Sequence, residues 1–188
     1  NTPNTAMIAT LASMGKTHGG NGSDAVKFLL EIFGSLDIDD PYDSRVDVHE
    51  IAKKVADDFK KKKLAAKDAS LEYMRVPCLG HPVFKDDPVN CDPREQAIYS
   101  FIRSREKTNV FLEFYHALVH ALKDNGSMNK VLAVNVDAAL ACVWLGICWR
   151  HLRDKRMTLQ RAIDIPFIAF ALGRAAGGAG EYLDHQDF

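Results

Sequence analysis

The sequence predicts a mainly α-helical protein. Residues that start and end helices bound most of its apolar stretches, and no run of alternating apolar and polar residues is long enough to demand a sheet. The chain has 188 residues, of which 47% are hydrophobic, so it can bury a sizeable core in one domain, or in one domain and a small second.

The first helix signal is the segment DAVKFLLEIF, which Ser23 can cap and Gly34 can end. Residues 37–75 then become charged, with KKVADDFKKKK at their centre. The lysines at 60–63 could contact nucleic acid, but aspartates flank them on both sides, which favours a solvated helix face.

Two further helices have well-marked ends. Asp92 is a predicted N-cap, with Pro93 in the first turn and Glu95 completing a capping box. This helix is predicted to run to about residue 105. The next is predicted from about residue 109 to 123, where an Asn-Gly pair stops it.

The C-terminal part holds two apolar helices. Residues 131–149 are as long as a membrane-spanning helix, but Asn135 and Asp137 would be costly in a bilayer, so a buried core helix is the better interpretation. The last helix is predicted to begin at Thr158, bend at Pro166 and end in the glycines Gly177, Gly178 and Gly180.

The charge and cysteine content indicate a small-molecule partner rather than nucleic acid, a membrane or zinc. The 24 basic and 25 acidic residues leave a net charge of -1, which gives no general attraction to nucleic acid or an anionic membrane. The four cysteines have no CxxC spacing and follow no signal peptide, so we expect reduced thiols in a cytoplasmic protein. The chain lacks an initiator Met and stops at HQDF, as expected of a fragment.

Two histidines lie in loops suited to presenting a side chain. His18 precedes two glycines in GKTHGGNGSDA, where a ligand can approach backbone N–H groups at the start of a helix. His81 stands between Gly80, which permits unusual backbone angles, and Pro82, which forces the preceding residue out of helical geometry. For His18, a turn with an incidental histidine is the competing interpretation.

Two arginines and a lysine are candidates for binding anions. Arg94 lies in the first turn of a predicted helix, where the macrodipole disfavours a cation, which indicates that it faces an anion. Arg174 interrupts the apolar segment FALGRAAGG, and Lys85 follows His81 in the same loop. An exposed side chain at position 94 and a structural ion pair at position 174 are the alternatives.

Asp137 stands alone in an apolar stretch, within the tripeptide NVD. Burial without a partner raises the pKa of a carboxyl group and makes its anion a stronger base near neutral pH. A general base is therefore one interpretation of Asp137, and a salt-bridged structural aspartate is the other. Together with two histidine donors and two arginines, such a base suits removal of a proton beside a thioester carbonyl, with an anionic substrate as partner.

The order of these motifs resembles the citrate synthase superfamily, which includes citryl-CoA lyases and the C-terminal module of ATP-citrate lyase. The chain carries, in the family's order, HGG at 18–20, GHPVFK at 80–85, DPR at 92–94, NVD at 135–137 and FALGR at 170–174. Each motif alone is weak, but the ordered set is strong and spans about residues 10–188. The YLD of residues 182–184 is similar to the YLDQ of ATP-citrate lyase modules, which favours the lyase branch.

The resemblance implies a role for each candidate residue. His18 would stabilise the enol of acetyl-CoA, His81 would polarise the oxaloacetate carbonyl, and Asp137 would be the base. Arg94 and Arg174 would bind the carboxylates of oxaloacetate or of the citryl group.

The resemblance also implies substrates and domain organisation. Lys85 stands where the family has a basic residue near the CoA phosphates, so a coenzyme A thioester is expected as substrate, with no permanently bound cofactor and no metal. The implied fold is an all-α, citrate synthase-like homodimer. Residues 1–17 would end the large domain, 18–150 would form the small domain and 151–188 would return to the large one. Most of the large domain is then missing, so these 188 residues alone should be inactive. The insertion DDPVNC before DPR could displace Arg94.

Several functions remain as alternatives. The protein could join acetyl-CoA and oxaloacetate, could cleave citryl-CoA with the same residues, or could be a non-catalytic acyl-CoA or dicarboxylate binding module. A metal-carboxylate site at Glu113, His116 and His120 is disfavoured, because helical phase places these residues opposite Phe111 and Phe114, towards solvent.

Overall fold

Seven α-helices occur within the part of the chain that the structure describes. The structure is a computed structural model that describes residues 2–14, 21–43, 45–68 and 75–185, and no β-strand occurs among these residues. The helices are α1 (Pro3–Ala12), α2 (Asn21–Phe33), α3 (Val48–Asp68), α4 (Pro93–Ser104), α5 (Val110–Asp124), α6 (Val136–Arg153) and α7 (Leu159–Asp184). The all-α prediction is confirmed.

Helix α5 lies at the centre of the core. Its residues Phe111, Leu112, Phe114 and Leu118 are all completely buried. Phe33, at the end of α2, meets Phe111 and Phe114 edge-on, with ring centroids 5.3 and 5.2 Å apart. α3 packs along α5, while α2, α6 and α7 pack against one another. The hydrophobic core is therefore continuous from α2 through α5 to α6.

The loop between α2 and α3 is fastened to α6. The Ile38 carbonyl accepts hydrogen bonds from Trp149 Nε1 and Arg153 Nη1, both at 2.7 Å. Tyr42 Oη donates to the backbone of α6 at 3.1 Å. Gly146 makes room for the Tyr42 ring, since a Cβ there would lie 2.8 Å from Tyr42 Cε2. This loop therefore closes one end of the core.

Several predicted helix boundaries are confirmed. α2 ends directly before Gly34, and α4 and α5 begin after the side-chain caps Asp92 and Asn109. The apolar stretch 131–149 contributes a core helix, because α6 buries residues along its length, including Cys142. The sequence signals for helix ends were reliable where the capping side chain bonds within its own turn.

Three predictions about helix ends are wrong. α2 starts two residues before Ser23, whose hydroxyl donates to the Ile163 carbonyl of α7 at 2.8 Å instead of capping. Glu95 completes no capping box and is buried against α5. α7 continues through its glycines, because the missing side chain of Gly178 lets α1 approach: a Cβ there would lie 2.1 Å from Thr10 Oγ1. Tertiary packing overrides glycine's low helix propensity.

The prediction for the polar residues of α5 is also wrong for two of three. Tyr99 Oη of α4 donates to Glu113 at 3.5 Å, and His116 Nε2 lies 2.9 Å from Glu95 Oε1 of α4. His120 is exposed, as predicted. The helical phase of α5 predicted that this side faces solvent, but α4 covers it at Glu113 and His116.

The lysine run of α3 fastens that helix to the turn after α5. Lys60 Nζ donates to the Asn125 carbonyl at 2.5 Å, and Lys63 Nζ donates to the Ser127 carbonyl at 2.7 Å. The two lysines between them are exposed. This agrees with a solvated helix face.

The last helix is both long and apolar. Among the described helices, α7 alone is long and apolar enough to cross a membrane, with a mean hydropathy of 1.3 over a window that is 28% buried. One such helix is weak evidence, because helices in the cores of other proteins meet the same criterion.

Candidate active site

One cavity brings together four of the six predicted site residues. It has a volume of about 1290 Å³ and lies between α2, α3, the loop before α4, the first turns of α4 and α6, and α7. His81, Arg94, Asp137 and Arg174 line it. Lys85 does not, and His18 lies outside the described residues. Three parts of the sequence that are far apart, at residues 81–94, 137 and 174, thus meet at one site.

The imidazole of His81 is held by its own loop. Its Nδ1 accepts hydrogen bonds from the backbone N–H groups of Val83 and Phe84 at 3.1 and 3.3 Å. The ring stacks on Phe84 at 4.5 Å between centroids. Gly80, at φ +85, donates to the Ala133 carbonyl at 2.7 Å. Because Nδ1 acts as an acceptor, the neutral ring carries its proton on Nε2 and is a donor there.

Arg94 is oriented by Asp92. Its Nε and Nη2 donate to the Asp92 carboxylate at 3.0 and 2.7 Å, and Nη2 lies 3.2 Å from His81 Nε2. A guanidinium can only donate, and Nε2 of the neutral His81 also carries a proton. Both N–H groups can therefore serve a single acceptor. A substrate oxygen placed between them would receive two hydrogen bonds.

Asp92 joins the first turns of α4 and α6. It is completely buried and also accepts from Arg94 N at 3.0 Å and from Val136 N at 3.1 Å. Burial raises the pKa of Asp92, but the hydrogen bonds from Arg94 and Val136 outweigh it and lower the pKa overall. The hydrogen bond to Asp92 in turn raises the pKa of Arg94, and the charge of Asp137 adds to this rise.

Asp137 occupies the first turn of α6. The Asn135 side chain caps this helix by accepting from Asp137 N and Ala138 N at 3.1 and 3.2 Å. Burial raises the pKa of the neighbouring Cys78 thiol, and the negative charge of Asp137 raises it further. The surroundings differ from the isolated apolar site predicted from the sequence, because Asp137 is only half-buried and its charge acts on Arg94.

The position of Arg174 depends on how α7 meets α2. Arg174 lies one turn after Phe170, with its guanidinium carbon 5.5 Å from the centre of that ring. Pro166 lies inside the helix one turn earlier still. Gly22 of α2 packs against Pro166, since a Cβ on Gly22 would lie 2.9 Å from Pro166 Cβ. The same Cβ would lie 3.5 Å from the Asp137 carbonyl oxygen. α2, α6 and α7 therefore join just behind the site.

The insertion DDPVNC does not move Arg94 away from the cavity. Asn90 donates to the Val131 carbonyl through its backbone N at 3.1 Å and through Nδ2 at 3.0 Å, and Val131 N donates to Pro88 O at 3.0 Å. This fixes the insertion to the segment before α6. Lys85 is exposed at its start, and its carbonyl accepts a hydrogen bond from Lys130.

Sequence reasoning missed several residues of the cavity. Lys27, Lys62 and Arg75 line it, together with the carboxylates Asp24, Glu31 and Asp58. Arg75 stands just before the loop of His81, which is a signal that could have been used. Lys27 and Lys62 belong to ordinary charged helix faces, and nothing in the local pattern distinguishes them.

Comparisons with known proteins identify the family of this chain. A family model described as "Citrate synthase, C-terminal domain" matches residues 2–184. Among solved structures, the chain resembles a citryl-CoA lyase from Hydrogenobacter thermophilus at 21% sequence identity and a TM-score of 0.54, over 98% of this chain and 57% of that chain. No curated protein matches. The likeness to the lyase shows the fold, and the chain spans just over half of that relative.

The family match covers nearly the whole chain, including every motif from HGG at 18–20 to FALGR at 170–174. The observed helical fold agrees with that match. The chain therefore belongs to the citrate synthase family and corresponds to its C-terminal domain.

Proposed function

We propose that the full-length protein is a citrate synthase-type enzyme that joins acetyl-CoA and oxaloacetate through an enol intermediate. The observation that supports this proposal is the convergence of His81, Arg94, Asp137 and Arg174 on one cavity. This set combines a carboxylate base, a neutral donor and two cations. Such groups suit proton removal from a thioester followed by attack on an anionic carbonyl compound.

In the proposed reaction, the Asp137 carboxylate removes a proton from the methyl carbon of acetyl-CoA, and the electron pair of that C–H bond moves into the thioester to form the enol. His18 is proposed as donor to the enol oxygen because of its HGG motif. The enol carbon attacks the carbonyl carbon of oxaloacetate, the enol oxygen returns its proton to His18, and the oxaloacetate oxygen takes the Nε2 proton of His81 to give citryl-CoA. The proton held by Asp137 passes to solvent, and solvent restores the Nε2 proton of His81. Water then cleaves the thioester to citrate and CoA.

His81 is proposed to polarise the carbonyl of oxaloacetate. Its Nε2–H points away from the backbone groups that occupy Nδ1 and lies beside Arg94 Nη2. A donor that is already oriented before the reaction stabilises developing negative charge without reorganisation. Because the imidazole is neutral, it can supply a hydrogen bond without carrying a full charge.

Arg94 and Arg174 are proposed to bind the carboxylates of the same substrate. Among the described residues, no side chain accepts a hydrogen bond from Arg94 Nη1, so its N–H groups remain for a ligand. Arg174 lines the same cavity from α7. Two guanidinium groups on separate helices suit a dicarboxylate better than a monocarboxylate.

Coenzyme A is proposed as a substrate component rather than a permanently bound cofactor. Arg75 and Lys62 line the cavity and are suited to its phosphates, with Lys85 at the outer end of the loop. We further propose a cytoplasmic homodimer, with the domain limits 1–17, 18–150 and 151–188 predicted above. These limits and the oligomeric state follow from the family resemblance.

Citryl-CoA cleavage is the alternative within the same site. The solved relative is named a citryl-CoA lyase, and reversing the steps above would return acetyl-CoA and oxaloacetate with the same residues. A non-catalytic acyl-CoA or dicarboxylate binding module is the second alternative. Assays of the complete gene product in both directions, with citryl-CoA and with acetyl-CoA plus oxaloacetate, distinguish all three.

The substitution Asp137→Asn tests the proposed base. We expect it to lower kcat of the full-length enzyme by about 10²- to 10⁴-fold while the KM for both substrates changes by less than about threefold, because only proton transfer is removed. Asp154→Asn, at the opposite end of α6, is the matched control and should leave kcat unchanged. Turnover at the wild-type rate in Asp137→Asn would remove Asp137 as the base.

A further inference from the structure

The side chain of Phe84 covers one face of the His81 imidazole. The two ring centroids lie 4.5 Å apart and the ring planes differ by 25°, which is a stacked arrangement. Phe84 is half-buried and lines the same cavity as His81. A phenyl ring carries no polar group, so Phe84 cannot itself donate a hydrogen bond to a substrate. Its contact is with the proposed carbonyl-polarising donor directly.

The stack is not needed to hold the backbone of this loop. Hydrogen bonds on both sides of Phe84 tie the loop to the segment before α6, from Gly80 N to Ala133 O at 2.7 Å and at the Lys85 carbonyl. The backbone N–H of Phe84 is also engaged, because it donates to His81 Nδ1 at 3.3 Å. The phenyl ring therefore adds a contact to the imidazole rather than an anchor for the chain.

Within the described part of the chain, hydrogen bonds hold the imidazole of His81 along one edge. Nδ1 accepts from the backbone N–H groups of Val83 and Phe84. At the opposite edge, Nε2 lies 3.2 Å from Arg94 Nη2, but both atoms carry protons and do not attract each other. Bonds along a single edge leave the ring free to tilt about that edge. The stack on its face is the contact that opposes this tilt.

We propose that Phe84 is a positioning residue for His81, whose ring it keeps from tilting, so that Nε2–H stays directed at the carbonyl oxygen of the substrate. This inference rests on the proposed function, in which His81 polarises that carbonyl. A donor stabilises developing negative charge best when its direction is set before the reaction. The stack therefore matters more in the transition state than in substrate binding, for which Arg94 and Arg174 are proposed.

Kinetics of the full-length enzyme, with oxaloacetate as the varied substrate, test this role. Phe84→Leu keeps an apolar side chain that cannot stack, and we expect it to lower kcat about 3- to 10-fold while KM changes by less than about twofold. Phe84→Tyr keeps the ring and should retain the wild-type kcat. Phe101→Leu makes the same replacement at an exposed position of α4 and should leave both constants unchanged. An equal fall in kcat with Phe84→Tyr and Phe84→Leu would overturn the role of the ring.

A double-mutant cycle separates positioning of His81 from a general effect on the fold. If Phe84 acts through the imidazole, Phe84→Leu should cause no further loss of kcat in a His81→Ala background, measured at high enzyme concentration. The same fractional loss in both backgrounds would overturn the proposal, because the phenyl ring would then act on something other than His81.

NMR of the full-length protein gives a measurement that needs no turnover. With ¹³C at the ε1 carbon of histidine, the His81 resonance is identified by its loss in His81→Ala. We expect the same His81 resonance in wild type and Phe84→Tyr and a displaced one in Phe84→Leu, because the ring current of the stacked phenyl group is then lost. An unchanged resonance in Phe84→Leu would overturn the stack itself. Absence of turnover by the wild type in both directions would instead overturn the proposed function, whatever the resonance shows.

Discussion

Asp92 is the residue on which the geometry of the site depends most directly. One carboxylate holds the guanidinium of Arg94 and caps its helix, and it also accepts the backbone N–H of Val136 beside Asp137. It therefore sets the distance between the proposed base and one proposed carboxylate ligand. Few single side chains could do this, because four N–H donors from two helices must meet at one carboxylate.

The substitution Asp92→Asn should lower the free energy of unfolding by about 1–3 kcal/mol at pH 7, since the amide loses the charge-assisted bonds to a half-exposed arginine. The folded-state pKa of Asp92 lies below its ordinary value of 3.8, so this stabilisation is complete above that pH and is lost as pH falls through the lowered value. Urea unfolding from pH 7 down to about pH 3 measures the difference between variant and wild type.

An exposed aspartate in α3 provides the control for Asp92→Asn. Asp58→Asn alters an exposed carboxylate, 68% accessible, and should change stability by less than about 0.5 kcal/mol. A difference between Asp92→Asn and wild type that stays constant down to the most acid pH would show that the charge of Asp92 is not responsible.

For single residues, the sequence predicted the contacts that a side chain makes within its own helical turn, but not its contacts with distant parts of the chain. Asp92 was predicted as a cap, and it is one. Its bond to Val136 joins residues 44 positions apart, and no local pattern encodes such a contact. The same reason explains why Asp137 was expected in apolar surroundings: Arg94 reaches it only after the chain has folded.

Helix packing depends on glycines that lie inside helices and face a neighbouring element. A Cβ on Gly146 of α6 would lie 2.8 Å from the Tyr42 ring and 2.9 Å from Asn109 Nδ2, so Gly146→Ala must displace a capping side chain or a packed ring. We expect a loss of about 1–3 kcal/mol in the free energy of unfolding, which thermal or urea denaturation measures.

Gly173 of α7 provides the matched control for Gly146. It also lies inside a helix, but among the described residues no atom outside its chain neighbours and its own helix backbone lies within 4 Å of a Cβ built on it. Gly173→Ala should therefore increase stability by about 0.5–1 kcal/mol, as helix propensity predicts. Equal effects of the two substitutions would contradict the packing argument.

The helices were largely predictable, because N-cap residues and terminal glycines mark the ends of helices in the sequence. The failures share one cause. Ser23 was predicted as a cap and Gly178 within a helix end, and both instead serve contacts with another helix, to Ile163 and to Thr10. Propensity describes a residue in its own segment, whereas these residues were placed by their neighbours in space.

At the scale of the whole molecule, the candidate cavity is assembled from distant segments. The order of motifs identified the family, but the cavity needed the loop of His81, two helix starts and α7 to meet. The charged lining from Lys27 and Lys62 was not predictable, because the solvent face of a helix and the wall of a cavity look alike in sequence.

At this scale we predict that the 188-residue chain alone has less than about 1% of the turnover of the full-length protein. The chain corresponds to a C-terminal domain and spans 57% of its solved relative. The prediction assumes that the proposed reaction needs groups from outside these 188 residues, in which case the chain alone can bind without reacting. Side-by-side assays of both proteins with acetyl-CoA and oxaloacetate measure this, and equal rates would refute it.

The free thiols have a practical consequence. Cys78, Cys142 and Cys148 are buried, whereas Cys91 is exposed one residue before Asp92 and the start of α4. A thiol-reactive fluorophore or spin label should therefore attach at this one place without any substitution. It would report on movements of the turn that carries Arg94, so the chain already contains an attachment point for following its candidate site spectroscopically.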